Sequence, residues 1–131
     1  SSAASDVYKR QPPPMEEKSE YLNLFSPLNA SIPVGMTPFT ESLKSTYERV
    51  VPFYENEIKK NLVENKNVLI SAHGNSIRAL CKYLFHISDA KINELEIPTG
   101  NPLVIEFGDN LKVEKYYYLD KLRAKNIIFN Q

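Results

Sequence analysis

The 131-residue chain carries 16 lysine and arginine residues against 16 aspartate and glutamate residues, so its formal net charge at pH 7 is zero. This balance argues against a nucleic acid or an anionic membrane as partner, and no apolar run reaches the roughly 18 residues that a membrane span needs. The length suits one domain with its own core. The one cysteine, Cys81, cannot form an internal disulfide, which favours a reducing, cytoplasmic compartment and predicts a small buried hydrophobe.

The two ends of the chain show no periodic pattern. Residues 1–11 lack apolar periodicity and the apolar segment of a secretory signal, and they resemble translated linker sequence. We therefore predict a non-native or disordered head there. Residues 12–39 are rich in proline and predict a loop region, and residues 120–131 predict a frayed or disordered tail.

The first long periodic segment spans residues 41–63, where apolar residues step by three or four and predict one amphipathic helix. Thr40 is the predicted N-cap, which places Glu41 in the first turn, where negative charge is favoured. An acid–base role for the Glu41 carboxylate is the alternative interpretation. Pro52 falls inside the segment and predicts a kink or a local break.

A short continuous apolar run follows at residues 68–72 (VLISA), directly before His73. This pattern predicts a strand that is buried on both faces of a parallel sheet. Apolar residues then recur at helical spacing, which predicts a helix over residues 76–86. The succession of helix, strand and helix is typical of α/β layers.

His73, Gly74 and Asn75 lie between this predicted strand and the helix after it. In open α/β sheets ligands bind at that edge, and the free N–H groups of a helix's first turn favour an anion such as phosphate. Gly74 allows backbone to come close to a ligand. A histidine there could donate to a phosphate oxygen or act in acid–base or nucleophilic chemistry. The alternative is a histidine that caps the helix or is hydrogen-bonded in a packed turn, and the pattern alone does not decide between them.

The remaining residues predict smaller elements. A short helix is predicted over residues 88–95, a turn-rich loop over 98–102 (PTGNP), and a β-hairpin whose strands are 103–107 and 111–116. His86 lies near a predicted helix end, where we interpret it as a C-terminal histidine and not as a catalytic group.

Several of these segments together resemble a known family. They are VLISAHGNSIRAL at 68–80, LEIPTGNPLVIEF at 95–107, PPPM at 12–15, ESLKST at 41–46 and VPFY at 51–54. The combination resembles the C-terminal part of the cofactor-dependent phosphoglycerate mutases, which belong to the histidine phosphatase superfamily. The likeness runs from about residue 12 to about residue 119.

The resemblance implies a three-layer α/β fold with a mostly parallel sheet flanked by helices, which would be incomplete in this chain. Residues 12–119 would be the C-terminal part of that domain. The implied activity is a cytoplasmic, glycolytic interconversion of 2- and 3-phosphoglycerate through a phosphohistidine, with 2,3-bisphosphoglycerate as phosphoryl primer and no metal. The parent protein would be a homo-oligomer with a small-molecule substrate, and neither nucleic acid nor a membrane is implied as partner.

The resemblance also implies roles for individual residues. His73 matches the family's second histidine, which stabilises the transition state, and Gly74 and Asn75 match substrate-binding positions. The attacking histidine of the family follows an arginine on the first strand; neither histidine of this chain does, so we expect the nucleophile in an N-terminal half that this sequence does not contain. A phosphatase of the same superfamily and a non-catalytic module that binds a phosphate ligand are the alternatives.

Overall fold

A computed structural model describes residues 2–14 and 40–124 of the protein. Its helices are α1 (Ser2–Lys9), α2 (Leu43–Phe53), α3 (Lys59–Val63) and α4 (Gly74–Leu84), and its strands are β1 (Leu103–Phe107) and β2 (Val113–Tyr118). A π-helical turn (Tyr54–Ile58) joins α2 to α3, and two 3₁₀ turns cover Ile92–Glu94 and Asp109–Leu111. Most of the predicted proline-rich loop and the last seven residues of the predicted tail lie outside the described residues.

The predicted helix of residues 41–63 is confirmed, but it begins at a different cap. Ser42 is the N-cap, where its Oγ accepts from Ser45 N–H at 3.1 Å while Ser45 Oγ accepts from Ser42 N–H at 2.8 Å. This reciprocal pair satisfies two donors at once, which Thr40 cannot do, because Thr40 Oγ1 donates to the carbonyl of Pro12 at 2.6 Å. The predicted cap at Thr40 and the first-turn position of Glu41 are therefore wrong.

Pro52 widens the helix and does not end it. Because proline has no N–H and its ring crowds the preceding turn, the regular ladder cannot pass unchanged through this position. The chain responds with the π-helical turn directly after α2, in which Lys59 N–H donates to the carbonyl of Tyr54, five residues earlier. The helix then continues through α3 to Val63.

The strand predicted at residues 68–72 is absent. Residues 66–73 form neither helix nor strand, and Val68, Leu69 and Ile70 are 37%, 94% and 40% exposed. The physical reason is the lack of a neighbour: among the described residues the strands β1 and β2 pair only with each other. The predicted three-layer, mostly parallel sheet is not present in this part of the chain.

The predicted β-hairpin is confirmed, with its second strand starting two residues later than expected. β1 and β2 pair antiparallel, with Leu103 opposite Tyr118 and Ile105 opposite Tyr116, and the register shifts between Glu106 and Phe107. The shift is a local irregularity of the pairing close to the turn.

The core lies between α4, the hairpin and the segment after α4. Cys81, Phe85, Ile92 and Leu95 are its buried members, together with Tyr8 from α1. Burial raises the pKa of the Cys81 thiol to about 12, which confirms the prediction of a small, unreactive, buried hydrophobe.

Helix α1 packs onto this core, which differs from the expectation that residues 1–11 lie outside the fold. Tyr8 is 4% exposed, and the ammonium of Lys82 lies 5.0 Å from its ring centroid and 5.4 Å from that of Tyr47. Lys82 also pairs with Asp89 at 2.8 Å and donates to the carbonyl of Ile87 at 2.7 Å. Among the described side chains of α1, Tyr8 is the one that lies in the core, and one residue leaves no periodic signal in a sequence.

None of the helices in the described ranges is both long enough and apolar enough to cross a membrane.

Candidate functional site

His73 is the N-cap residue of α4, with extended backbone angles (φ −60°, ψ 147°), and its carbonyl accepts the first helical hydrogen bond from Ile77 N–H at 3.1 Å. Its side chain makes no capping hydrogen bond and is exposed. His73 is therefore the N-cap residue, as the capping interpretation predicted, but its imidazole takes no part in the cap.

Gly74 and Asn75 form the start of the helix directly beside His73. The N–H groups of residues 74–76 precede the first intrahelical bond, so they carry the positive end of the helix dipole. A Cβ built on Gly74 would meet nothing within 4 Å, and its φ is not in the left-handed region. Among the described residues, therefore, neither packing nor backbone strain requires glycine at this position.

Arg78 lies one turn further along α4 and was not singled out from the sequence. Its Nη1 donates to Asn75 Oδ1 at 3.1 Å, and its Nε donates to the carbonyl of Leu95 at 2.9 Å. Arg78 lies on the helix predicted over residues 76–86, three residues after Asn75, and this short spacing was the available signal. The contact between Arg78 and Leu95 left no signal in the sequence, because the two residues are distant in the chain.

The loop predicted at residues 98–102 is held by side chains that the sequence analysis did not connect. Asn101 is 6% exposed, and it donates to the carbonyl of Asp120 and accepts from Asp120 N–H, both at 2.9 Å. Arg123 donates to the carbonyls of Thr99 at 2.5 Å and of Gly100 at 3.3 Å. Gly100 has φ +68°, a conformation that glycine adopts at little cost.

Glu41 forms an ion pair with Arg49 just before the start of α2. Arg49 Nε lies 2.5 Å from Glu41 Oε1, and Arg49 Nη2 donates to Oε2 at 3.0 Å. The hydrogen bond from Arg49 holds the pKa of Glu41 below its ordinary value, so the carboxylate is kept ionised. A group held this way is a poor proton donor, which argues against the acid–base alternative.

His86 lies beyond the opposite end of α4 from His73. It is exposed, with φ +54°, at the turn that follows the helix. An 11-residue helix is about 16 Å long, so the two histidines cannot contact one phosphoryl group. In the ranges that the structure describes, no group of three or more histidine, cysteine, aspartate or glutamate residues could hold a metal ion.

His73 thus presents an exposed imidazole beside the N–H groups that begin α4, an arrangement that suits a phosphate oxygen. A model of the histidine phosphatase superfamily (branch 1) matches residues 9–119 of the chain. The chain belongs to this superfamily. Its mixed content of helix and strand, with a small two-stranded sheet, fits the α/β fold of the family.

Three curated relatives carry the same name, 2,3-bisphosphoglycerate-dependent phosphoglycerate mutase. The chain is 48% identical to the one from Pelagibacter ubique over 118 residues, which cover 90% of this chain and 50% of the relative. The chain is 46% identical to the relative from Pasteurella multocida over 112 residues, which cover 86% of this chain and 49% of the relative. It is 50% identical to the relative from Sphingopyxis alaskensis over 110 residues, which cover 84% of this chain and 47% of the relative. The chain thus spans about half the length of the curated relatives it matches.

Proposed function

We propose that the protein is a phosphoglycerate mutase that interconverts 2- and 3-phosphoglycerate with 2,3-bisphosphoglycerate as phosphoryl primer. Residues 12–119 would form the C-terminal part of its catalytic domain. The similarity to three relatives of that name, at 46% to 50% identity, carries the proposal. A cytoplasmic location and a homo-oligomeric state belong to the same proposal.

The site supplies groups that suit phosphoryl transfer. In this reaction class the protein mainly positions the phosphoryl group and stabilises the charge that spreads over its equatorial oxygens. We assign that stabilisation to the His73 imidazole, which donates to an equatorial oxygen. Gly74 contributes its backbone N–H and Asn75 its side chain to substrate binding, at the positive end of the helix dipole. We assign the same donors to the bisphosphate primer, and we propose a reaction without a metal.

The attacking histidine is assigned to a part of the protein outside residues 1–131. His73 and His86 are the two histidines of this chain, and they lie at opposite ends of α4. A phosphohistidine that faces His73 must therefore come from another segment, and the exposed residues 68–70 next to His73 offer a place for that segment to pack.

The test is an assay of the full-length protein with 3-phosphoglycerate in the presence of 2,3-bisphosphoglycerate. We expect 2-phosphoglycerate to form, and we expect His73→Ala to lower kcat by roughly 100-fold or more, because one lost donor to a developing charge costs on the order of 100- to 1,000-fold. His86→Ala is the matched control and should retain wild-type turnover.

Two results would contradict the proposal. Hydrolysis of phosphate esters without mutase turnover would identify a phosphatase of the same superfamily. Equal losses in His73→Ala and His86→Ala would remove the assignment of His73 as the stabilising group.

A second prediction concerns residues 1–131 on their own. This polypeptide should take up no phosphoryl group from labelled 2,3-bisphosphoglycerate, because the attacking histidine is assigned to another segment. Acid-labile label on the isolated chain, detected by mass spectrometry at His73, would make His73 the nucleophile and overturn its role as stabiliser.

A further inference from the structure

The guanidinium of Arg78 bridges the functional site and the core, through Asn75 on one side and the carbonyl of Leu95 on the other. We propose that Arg78 is a positioning residue that fixes the Asn75 amide with its nitrogen toward the bound phosphate. This inference rests on the proposed function, because it assigns a role within the same substrate site.

The first step concerns the two ends of the Asn75 amide. A carboxamide offers an acceptor oxygen at one end and a nitrogen with two donor hydrogens at the other. A phosphate anion accepts hydrogen bonds, so only the nitrogen end of Asn75 can stabilise it. An amide free to rotate would present its oxygen to the anion part of the time, and that orientation is repulsive.

The second step is that Arg78 stabilises one of these two orientations of the Asn75 amide. A guanidinium carries only donors, and its Nη1 donates to Asn75 Oδ1 at 3.1 Å. If the amide flipped, its nitrogen would face the guanidinium donor to donor. The contact therefore fixes Oδ1 toward Arg78 and leaves Nδ2 for a ligand at the exposed start of α4.

The third step is the rigidity of the guanidinium itself. Its Nε donates at 2.9 Å to the carbonyl of Leu95, a residue that is 1% exposed and belongs to the core beside Ile92. Two hydrogen bonds from different nitrogens of one planar group fix its plane as well as its position. Lysine has a single nitrogen at its tip and cannot make both contacts in this geometry.

A double-mutant cycle in the full-length mutase tests the coupling. Arg78→Ala and Asn75→Ala should each raise the KM for 3-phosphoglycerate about 10-fold, as expected for loss of one hydrogen bond to a charged group, while kcat falls less than threefold. The double variant should show no more than either single variant, and Arg78→Lys should behave like Arg78→Ala. Arg49→Ala removes an arginine that pairs with Glu41 and should leave KM unchanged.

Two outcomes of this cycle would overturn the proposal. If the two effects on KM multiply in the double variant, Arg78 binds the substrate directly and independently of Asn75. If Arg78→Ala leaves KM unchanged, or lowers the melting temperature without a change in KM, the residue is only structural.

A second measurement needs no substrate. Nitrogen-15 relaxation of the Asn75 side-chain amide in the full-length protein should show an ordered NH₂ group in the wild type and a mobile one in Arg78→Ala and Arg78→Lys. Equal order in all three proteins would overturn the positioning role. If the wild type lacks mutase activity, the proposed function fails, and this measurement still decides whether Arg78 fixes Asn75.

Discussion

Two neighbouring apolar segments of the chain differ in burial. Residues 66–73 carry three consecutive apolar side chains that are 37% to 94% exposed, whereas helix α4, which begins at the next residue, contains Ala79 at 0% and Cys81 at 1%. A helix satisfies its backbone hydrogen bonds within itself and needs a partner for only one face. A strand needs at least one neighbour to satisfy its backbone hydrogen bonds, and the described residues offer none to residues 68–72. An apolar pattern therefore predicts burial only where the partner is available.

His73 lies at the junction between these two segments. On the side of α4, Arg78 holds the start of the helix through its hydrogen bonds to Asn75 and to the carbonyl of Leu95. On the other side, residues 68–72 approach the imidazole without support from a sheet. An exposed apolar segment that pairs with no described strand is a template for association, which is why the proposed function lets another segment pack there.

Two alanine substitutions, one in the core and one in the exposed segment, test this contrast most strongly. Ile92 is 0% exposed, and Ile92→Ala should lower the free energy of unfolding of residues 1–131 by about 2–5 kcal/mol, since it removes core contacts and leaves a cavity. Leu69 is 94% exposed, and Leu69→Ala should change it by no more than about 0.5 kcal/mol. Urea denaturation of both variants and the wild type measures the difference. Similar losses would mean that residues 68–72 are buried in solution.

Alkaline pH should lower the free energy of unfolding through three tyrosines whose pKa values are raised in the folded state. Burial raises the pKa of Tyr8 and of Tyr118 to about 12, and the hydrogen bond that Tyr83 donates to Glu55 at 2.6 Å, with burial, raises the pKa of Tyr83 to about 12. The unfolded chain releases these protons near pH 10. The folded state holds them more tightly, so their stabilising contribution is complete below about pH 10 and is lost as pH rises toward about 12.

The measurement is urea denaturation at a series of alkaline pH values, with tyrosinate absorbance followed in the native protein. Tyr83→Phe should make stability depend less steeply on pH. Native tyrosines that all ionise near pH 10 would show that the packed region is open to solvent.

The sequence predicted the elements whose evidence is local. The periodicity of α4, the turn of the hairpin and the position of His73 at a helix start all depend on residues close together in the chain, and all three are observed. The helix cap moved from Thr40 to Ser42 because Ser45 completes a reciprocal pair. Contacts between distant residues gave no pattern to detect, which is why the docking of α1 through Tyr8 was missed.

The same reasoning explains the partial prediction of the site. His73, Gly74 and Asn75 are consecutive, so one helix start brings them together. Arg78 acts through a carbonyl 17 residues away, and only the fold reveals that contact. The strand at residues 68–72 was predicted from its apolar pattern, but pairing depends on strands elsewhere, and no pattern within the segment can supply them.

The smallest expected effect concerns the last residue of β2. Tyr118 is 3% exposed and lies opposite Leu103, and its hydroxyl has no hydrogen-bond partner among the described residues. A buried polar group without a partner costs about 1–3 kcal/mol, and phenylalanine keeps the ring while it removes that group. Tyr118→Phe should therefore raise the free energy of unfolding by up to about 1 kcal/mol, a gain smaller than the full penalty because the packing contacts of the hydroxyl oxygen are lost with it.

The matched control is Tyr117→Phe on the adjacent position of the same strand. The Tyr117 ring lies 5.1 Å from the ammonium of Lys115 and is only partly buried, so the loss of its hydroxyl should leave stability unchanged within about 0.5 kcal/mol. Urea denaturation at neutral pH compares the two variants with the wild type. A loss of stability in Tyr118→Phe alone would show that the hydroxyl is hydrogen-bonded in solution. Because a raised pKa requires that the phenol be present, Tyr118→Phe should also make the alkaline loss of stability less steep.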